Sequence, residues 1–252
     1  MNSVSTHIMS PNIDISIILP AYNEGHRLAK SILLIQEAVL PLTSYYEIII
    51  VNDGSSDNTH IEADRLANTN ISVISYDKNR GKGYAVKVGM VRAKGKFHLF
   101  MDVDLATDLK AMAEFYRSMQ ENPVDILIGD RKTDTNVQHV KQPYLRRMLG
   151  RVFTWLSQMV LHCHFRDFTC GFKMFTSGAS QRIFACQRID RWSFDSEILF
   201  LAEKYHLKVR EIPVIWRHQG NSKVNLLKDI LSSFQGLMAI RMNDLKGIYN
   251  GS

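Results

Sequence analysis

Two aspartates separated by one residue are the feature of this sequence that most directly predicts chemistry. Asp102 and Asp104 follow the apolar run Phe97–Met101, which is typical of a buried strand. In extended backbone, residues two positions apart point the same way, so both carboxylates can converge on one hard cation. Water and phosphate oxygens would complete its coordination shell. The pair therefore predicts a Mg²⁺ or Mn²⁺ site that also binds a nucleoside diphosphate.

Three further apolar runs end in polar clusters. One such cluster is usually only a loop or a helix cap, and Asp57 is well placed as an N-cap. Four of them are harder to explain in that way, because ligands of open parallel sheets bind beyond the carboxyl ends of the strands. The additional clusters are Pro20 to Glu24, Asn52 to Asp57, and Gly129 to Arg131.

A lysine between two glycines follows another apolar run. Gly81, Lys82 and Gly83 resemble a dinucleotide-binding fingerprint without its third glycine. That fingerprint belongs at the first strand-to-helix turn, whereas this stretch follows the third predicted strand. We therefore interpret the glycines as permitting a tight turn that brings Lys82 near phosphate.

The elements that must position these residues alternate between strand and helix over the first half of the chain. This pattern predicts an α/β fold, a Rossmann-like open and mostly parallel sheet with helices on both faces. The predicted strands are Ile15–Pro20, Tyr46–Val51, Ile71–Tyr76, Phe97–Met101 and Val124–Gly129. The predicted helices are Arg27–Leu40, Asn58–Ala67, Lys82–Ala93 and Leu109–Glu121.

The second half mixes a predicted loop, Asp130–Gln142, with further helices and strands. Helices are expected over Pro143–His164, Phe194–Tyr205 and Val224–Tyr249, and strands over Gly171–Phe175 and Lys208–Arg217. We divide the chain into a disordered tail (1–12), a catalytic domain (13–223) and a C-terminal amphipathic helical extension (224–252).

Composition excludes several classes of protein. The three cysteines among 252 residues do not indicate a disulfide framework, so we expect a reducing compartment. No apolar run reaches the roughly 18 residues of a spanning helix, which predicts a soluble or peripheral protein. The net charge of +6 admits nucleic acid, anionic lipid or phosphorylated substrates as partners. The basic residues are dispersed and lack an aromatic platform, which argues against nucleic acid.

Taken together, the motifs resemble the family 2 inverting glycosyltransferases of GT-A fold. The resemblance covers about Ile15 to Met242 and rests on ILPAYNE, IIIVNDGSSDNT, NRGKGYAVKVGM and FMDVDLAT. The segments RDFTCGFKMF, RWSFDSEILFLAEK and EIPVIWRHQGNSKV are similar to one branch, the dolichyl-phosphate glucosyltransferases and their polyprenyl-phosphate relatives. Two departures stand out: Val103 occupies a position where alanine is commoner, and the spanning segment of some relatives is absent.

The resemblance implies a role for each matching residue. It implies a donor site of Pro20, Tyr22, Glu24, Asp53, Lys82, Asp102 and Val103, with Asp102 and Asp104 as metal ligands. Basic residues that hold phosphates would be Arg131, Arg217 and Lys223, and Asp167, Gly171 and Lys173 would lie on the acceptor side. The segment beneath the sugar would contain Asp195 and Glu197; with Asp104 and Arg131 they complete the candidate catalytic set.

The resemblance implies transfer of a sugar, glucose from UDP-glucose, with inversion to a polyprenyl or dolichyl phosphate. A lipid phosphate has a second pKa near 6, so it is an anion that needs orientation by cations more than deprotonation. The alternative is a family 2 enzyme with a sugar or protein hydroxyl acceptor, for which Asp195 or Glu197 could serve as general base. A nucleic-acid-binding module is the remote alternative.

A lipid acceptor predicts attachment to a membrane surface, and we expect a peripheral protein at the cytosolic face. Two segments, Pro143–His164 and Asn225–Tyr249, mix basic and apolar residues as interfacial helices do. Packing of the same apolar stripes on the core is an equally good interpretation for the first half of the second segment.

Overall fold

The computed structural model describes residues 12–132, 144–217 and 226–250. The strands in these ranges are β1 (Ile15–Ala21), β2 (Tyr46–Asp53), β3 (Ile71–Tyr76), β4 (Phe97–Met101), β5 (Ile126–Asp130), β6 (Phe172–Thr176) and β7 (Val209–Pro213). The helices are α1 (Gly25–Val39), α2 (Thr59–Leu66), α3 (Lys82–Arg92), α4 (Lys110–Glu121), α5 (Tyr144–Leu161), α6 (Ser177–Cys186), α7 (Phe194–Lys204) and α8 (Leu226–Leu245).

The seven strands form one sheet in the order β3-β2-β1-β4-β6-β5-β7. Only β6 runs antiparallel to its neighbours, β4 and β5, which confirms the predicted mostly parallel sheet. The chain leaves β1 towards β2 on one side and later returns to β4 on the other. This reversal opens a crevice at the carboxyl ends of the strands, where ligands of such sheets bind.

Side chains alternate along the strands and so build two cores. Ile15, Ile17 and Leu19 pack with α1, α2 and α4 on one face, whereas Ile18 packs with α3, α6 and α7 on the other. Helices therefore cover both faces, as predicted.

Two elements differ from the sequence-based prediction. Helix α6 was not predicted; it begins where the Thr176 hydroxyl accepts a hydrogen bond from the Ala179 amide. Strand β7 ends at Pro213, four residues before the predicted end at Arg217. Past that proline the chain leaves the sheet, and Trp216 forms an isolated bridge with Thr107.

The end of α8 shares a core with the rest of the molecule. Leu237, Ile240 and Tyr249 are buried in the same cluster as α3, α6 and α7. The proposed boundary between 223 and 224 lies outside the described residues, as does all of the predicted tail except Asn12. Among the helices that the structure describes, none is both long and apolar enough to cross a membrane.

Candidate active site

The aspartate pair lies in a tight turn directly after β4. Leu105 adopts the left-handed conformation (φ 51°), which is uncommon for a branched side chain. Its amide donates to the Asp102 carbonyl (3.2 Å), and the Ala106 amide donates to Asp104 Oδ1 (3.0 Å). Across the turn, Lys82 Nζ lies 2.5 Å from Asp102 Oδ1. The turn therefore places both carboxylates beside the first residue of α3.

Negative charge accumulates at this turn. Burial, together with the nearby Asp102 carboxylate, raises the pKa of Asp104. Burial also raises the pKa of Glu24; Arg27 opposes that rise, and Asp104 and Asp102 add to it. Carboxylates that disfavour one another's ionisation are stabilised by a cation, and their oxygens suit Mg²⁺ or Mn²⁺. Within the described residues there is no group of three or more histidine, cysteine or acidic side chains that could hold a metal ion.

Gly171 lies directly beneath Asp102. A Cβ atom at position 171 would stand only 2.1 Å from Asp102 Oδ2, so a larger residue would displace the carboxylate. The Asp102 amide donates to the Gly171 carbonyl (3.2 Å). The resemblance put Gly171 on the acceptor side, and the antiparallel insertion of β6 beside β4 brings it under Asp102.

Asp53, at the end of β2, is buried and holds the loop that leads to Lys82. Its carboxylate accepts hydrogen bonds from Asn79 Nδ2 (2.8 Å), the Arg80 amide (2.8 Å) and the Gly81 amide (2.9 Å). Gly81 takes a φ of 110°, which glycine alone adopts freely. Asp53 thus shapes the Lys82 loop, and its predicted contact with a pyrimidine base stays a prediction.

The first two polar clusters are tied together by hydrogen bonds. Asn23 Oδ1 accepts from the Ser56 amide (2.8 Å), and the Glu24 amide donates to the Thr59 hydroxyl (2.9 Å). Half-buried Pro20 and the 48% exposed Tyr22 lie beside them at the end of β1. The exposed Tyr22 ring leaves an apolar surface for a base to pack against.

Val103 does not face this site. Its side chain is buried in the core beneath the sheet, and its carbonyl accepts a hydrogen bond from the Ser31 hydroxyl (2.7 Å). Val103 lies within the turn that follows β4, with its side chain in the core, whereas Asp102 and Asp104 stay partly exposed. The assignment of Val103 to the donor site stays a prediction, and its buried side chain would leave only its backbone for such a contact.

Arg131 and Asp167 form a two-pronged ion pair on the other side of the crevice. Arg131 Nε and Nη2 lie 2.7 Å and 2.8 Å from the two carboxylate oxygens, and Nη2 also reaches the Thr169 hydroxyl (2.8 Å). Burial would raise the pKa of Asp167, but Arg131 outweighs it and holds that pKa well below its usual range. The Trp216 ring lies 5.6 Å from the guanidinium. Arg131 is thus held in one orientation at the edge of the site.

Lys173 and Asp195 form an ion pair inside the protein. The Lys173 ammonium contacts the Asp195 carboxylate and the Cys170 carbonyl (2.6 Å), and its side chain is fully buried. Asp195 also acts on Lys82: burial opposes the charge of Lys82, but Asp102 and Asp195 outweigh that effect and raise its pKa. Lys173 was expected to contact the acceptor, yet it is buried behind Asp195.

Glu197 is enclosed inside the protein by three hydrogen-bond donors. The side chain is fully buried. Its oxygens accept from the amides of Arg188 and Ile189 (both 2.8 Å) and from the Tyr249 hydroxyl (2.6 Å). Burial raises the pKa of Glu197. Asp195, two residues earlier, is 5% exposed and pairs with Lys173, whereas Glu197 is fully buried. The catalytic role expected of both residues stays a prediction.

Arg217 lies close to the aspartate turn, although 113 positions separate it from Asp104 in the sequence. Its amide donates to the Ala106 carbonyl (2.8 Å), and its exposed guanidinium lies 3.6 Å from Asp108 Oδ2. Lys223, predicted to act with Arg217, lies outside the described residues. The site thus combines an acidic turn, Lys82 and Arg217 at one edge of the sheet.

Comparison with known proteins agrees with this geometry. Residues 16–184 match the model of glycosyl transferase family 2. The dolichyl-phosphate beta-glucosyltransferase of Dictyostelium discoideum is 34% identical, over 94% of this chain and 77% of the relative. The enzyme of the same name from Saccharomyces cerevisiae is 32% identical, over 98% and 80%.

A solved structure shares the fold. Glucosyl-3-phosphoglycerate synthase from Mycobacterium tuberculosis, in complex with Mn²⁺, UDP-glucose and phosphoglyceric acid, superposes with a TM-score of 0.65. It is 15% identical, over 90% of this chain and 79% of that one, so it supports the GT-A fold alone. The matched family model, the two relatives and the crevice described above lead to one conclusion: this chain is a glycosyltransferase and belongs to glycosyl transferase family 2.

Proposed function

We propose that the protein transfers glucose from UDP-glucose to a polyprenyl phosphate of the dolichyl type, with inversion at the sugar carbon. The observation that carries this proposal is the crevice in which an acidic turn and Lys82 face Arg217. The relatives named dolichyl-phosphate beta-glucosyltransferase, which align over most of this chain, support the choice of sugar and acceptor.

In the proposed donor site, Asp102 and Asp104 hold a divalent cation, Mg²⁺ or Mn²⁺. The neighbour from M. tuberculosis contains Mn²⁺ together with UDP-glucose. When bound, such a cation neutralises charge that develops on the leaving nucleoside diphosphate. Lys82 contributes positive charge to the same group, and Tyr22 packs against the base.

In the proposed acceptor site, cations orient the lipid phosphate for attack from the face opposite the diphosphate. Arg217 is exposed beside the aspartate turn, and Arg131 is aimed by Asp167 and Thr169. We infer that Lys223 joins them. An oriented phosphate anion needs no strong general base, so positioning supplies most of the acceleration.

A hydroxyl acceptor is the second candidate, and the surroundings of its two candidate bases do not support it. Glu197 is buried with three donors on its oxygens. Asp195 is paired with Lys173. Because a general base must reach the proton it abstracts, neither arrangement favours a hydroxyl acceptor.

The donor and acceptor are tested together with radiolabelled UDP-glucose, Mn²⁺ and a short polyprenyl phosphate. We expect a labelled lipid that forms only when the lipid phosphate is present and that has the β configuration. Equal turnover with free sugars or peptides in place of the lipid, or no transfer from UDP-glucose while another nucleotide sugar reacts, would contradict the proposal.

We further propose that α5 and α8 hold the enzyme at the cytosolic face of a membrane. Each helix exposes an apolar stripe at helical spacing, and the two helices pack against each other. Exposed basic side chains lie beside the stripes, among them Arg151 on α5 and Lys246 directly after α8, and they suit anionic lipid. The stripes are Met148, Val152, Trp155 and Met159 on α5, and Phe234, Met238, Met242 and Leu245 on α8.

Sedimentation with anionic vesicles tests this surface. We expect binding at low salt and release at high salt, because each basic residue near anionic lipid contributes only about 1 kcal/mol. Replacing Trp155 and Met159 by serine should weaken binding, whereas replacing the equally exposed Ile61 and Val91 on other helices should not. No sedimentation at any salt concentration would contradict docking by these helices.

A further inference from the structure

We propose that the C-terminal end of the chain positions the Lys82 loop, with Tyr249 as a positioning residue that acts through Glu197 and the loop of residues 187–193. The inference rests on the proposed function only in taking Lys82 to contact the donor diphosphate. It gives the last residues of the chain a part in donor binding, although they lie outside the crevice.

The first step joins the chain terminus to α7. Tyr249 is fully buried, and its hydroxyl donates to Glu197 Oε1 (2.6 Å). Asn243 Nδ2 donates to the same hydroxyl (3.2 Å), and the Tyr205 hydroxyl donates to the Tyr249 carbonyl (2.9 Å). The tyrosine is therefore held at both its ring and its backbone, and it directs a charge-assisted hydrogen bond at a buried carboxylate.

The second step joins Glu197 to the 187–193 loop. The two carboxylate oxygens accept hydrogen bonds from the consecutive amides of Arg188 and Ile189. Neither amide belongs to a helix or strand, so these bonds determine how the loop is held.

The third step joins that loop to the start of α3. The Asp190 carbonyl accepts the Tyr84 amide (3.0 Å), one of the first-turn amides that have no partner within their own helix. Gln187 Nε2 donates to the Gly83 carbonyl (2.9 Å). A Cβ at Gly81 would lie 2.6 Å from the Asp190 carbonyl, and one at Gly83 would lie 2.7 Å from the Ile189 carbonyl. Both glycines that flank Lys82 are thus pressed against this loop.

Helix α8 also contacts the loop directly. A Cβ at Gly236 would stand 2.1 Å from Ser193 Oγ and 2.4 Å from Ser193 Cβ, so the helix backbone lies against the last residue of the loop. The C-terminal segment therefore supports the 187–193 loop at two places, Ser193 and Glu197. The loop in turn supports the turn from which Lys82 reaches Asp102.

Hydrogen exchange of single amides tests the path without any ligand. In Tyr249→Phe, we expect the Arg188, Ile189 and Tyr84 amides to exchange about tenfold faster, as the loss of a charge-assisted bond predicts. The matched control is Tyr46→Phe on β2, which removes a buried tyrosine hydroxyl that accepts a hydrogen bond from Gln36 Nε2 on α1. Unchanged exchange at Tyr84, with faster exchange only around residues 197 and 249, would show a purely structural role and overturn the proposal.

Calorimetric titration with UDP and Mn²⁺ tests the consequence for the donor. We expect Tyr249→Phe to weaken UDP binding about fivefold, the effect of one net hydrogen bond, and Tyr46→Phe to leave it unchanged. Unchanged UDP affinity in Tyr249→Phe overturns the proposal. A wild-type protein that binds no UDP would contradict the proposed function instead, and the exchange experiment would still decide the positioning role.

A pair of substitutions tests the contact between Gly236 of α8 and Ser193 of the loop, because the second substitution should reverse the effect of the first. Gly236→Ala should weaken UDP binding because its methyl group displaces Ser193, and Ser193→Gly in the same chain should restore it by removing the atoms that collide. Equal UDP affinity in Gly236→Ala and the wild type, or no recovery in the double variant when both are folded, would contradict a path through α8.

Discussion

Two groups of charged side chains differ in how far they are buried with a partner. The first group, Lys82, Asp102 and Asp104, is called the donor edge because it lies in the proposed donor site. The second group lies in the second half of the chain. At the donor edge, Asp102 and Lys82 keep 37% and 32% of their side chains exposed, and the pKa of Asp104 is raised. In the second half, Lys173 and Asp167 are fully buried and face oppositely charged partners. The donor edge therefore carries charge that a ligand can neutralise. In the second half of the chain, the ion pairs Lys173–Asp195 and Arg131–Asp167, called the frame below, hold protein segments together.

A charged residue in a family motif can therefore have one of two roles: it can bind a ligand, or it can stabilise the fold. Both sets lie in segments that resemble the family, and both were assigned to the site on that basis. Buried ion pairs contribute little net stability but are costly to break, because the remaining partner is left without compensation. We therefore expect donor-edge variants to lose activity while staying folded, and frame variants to lose stability.

The largest expected effect comes from breaking the frame at Lys173. Lys173→Met leaves Asp195 buried without its cation, which should cost about 3–5 kcal/mol of unfolding free energy. Urea denaturation measures this loss. A second change, Asp195→Leu, should recover most of it, since an apolar pair of similar size replaces the ion pair. A fully stable Lys173→Met protein would mean that the pair is not part of the frame.

At the donor edge, Asp104→Asn should have the opposite signature. We expect kcat to fall by about a hundredfold or more, because the carboxylate is a proposed metal ligand, and the melting temperature to stay nearly unchanged. Asp64→Asn, at an exposed aspartate of α2, is the matched control. Wild-type turnover by Asp104→Asn, or turnover that EDTA does not affect, would remove the metal site from this turn.

The contribution of the Arg131–Asp167 ion pair to the unfolding free energy should depend on pH. Asp167→Asn should cost about 1.5–3 kcal/mol of unfolding free energy at pH 7, since a charge-assisted pair is lost. Because the pKa of folded Asp167 is depressed, its contribution is complete above the ordinary aspartate pKa of about 3.9 and fades as pH falls below it. Denaturation at pH 7 and pH 3 should show the gap between variant and wild type narrowing; a constant gap would contradict the ion pair.

The smallest expected effect is on UDP binding by Asp53 variants. Asp53 is buried like the frame residues, yet it holds the loop that leads to Lys82 at the donor edge. Asp53→Ala should weaken UDP binding by about one to two decades, as expected for a mispaired buried group. Asp53→Asn tells the two roles apart when UDP is compared with CDP. A direct contact with the uracil N–H predicts that the preference for UDP disappears, whereas a role confined to the Lys82 loop predicts weaker binding with the preference kept.

The sequence alone was sufficient to predict a mostly parallel sheet and the position of the two aspartates after its fourth strand. Apolar runs followed by polar clusters place Asp53, Asp102 and Asp104 at one edge, because parallel strands must end together. The two-residue spacing also predicted that Asp102 and Asp104 lie together, and both are partly exposed at the turn, whereas the burial of Val103 was not predicted. These are local rules, and the family model that matches residues 16–184 agrees with them.

Tertiary structure alone decided which of the remaining charges are exposed. Glu197 follows a helix start, where an acidic residue is ordinarily solvated, and its burial depends on Tyr249, which lies 52 positions away. Gly171 lies under Asp102 only because β6 enters the sheet antiparallel between β4 and β5. Long-range pairing of this kind has no period or spacing in the sequence. Local pattern therefore determined where the chemistry lies, and packing between distant segments determined which charged residues take part in it.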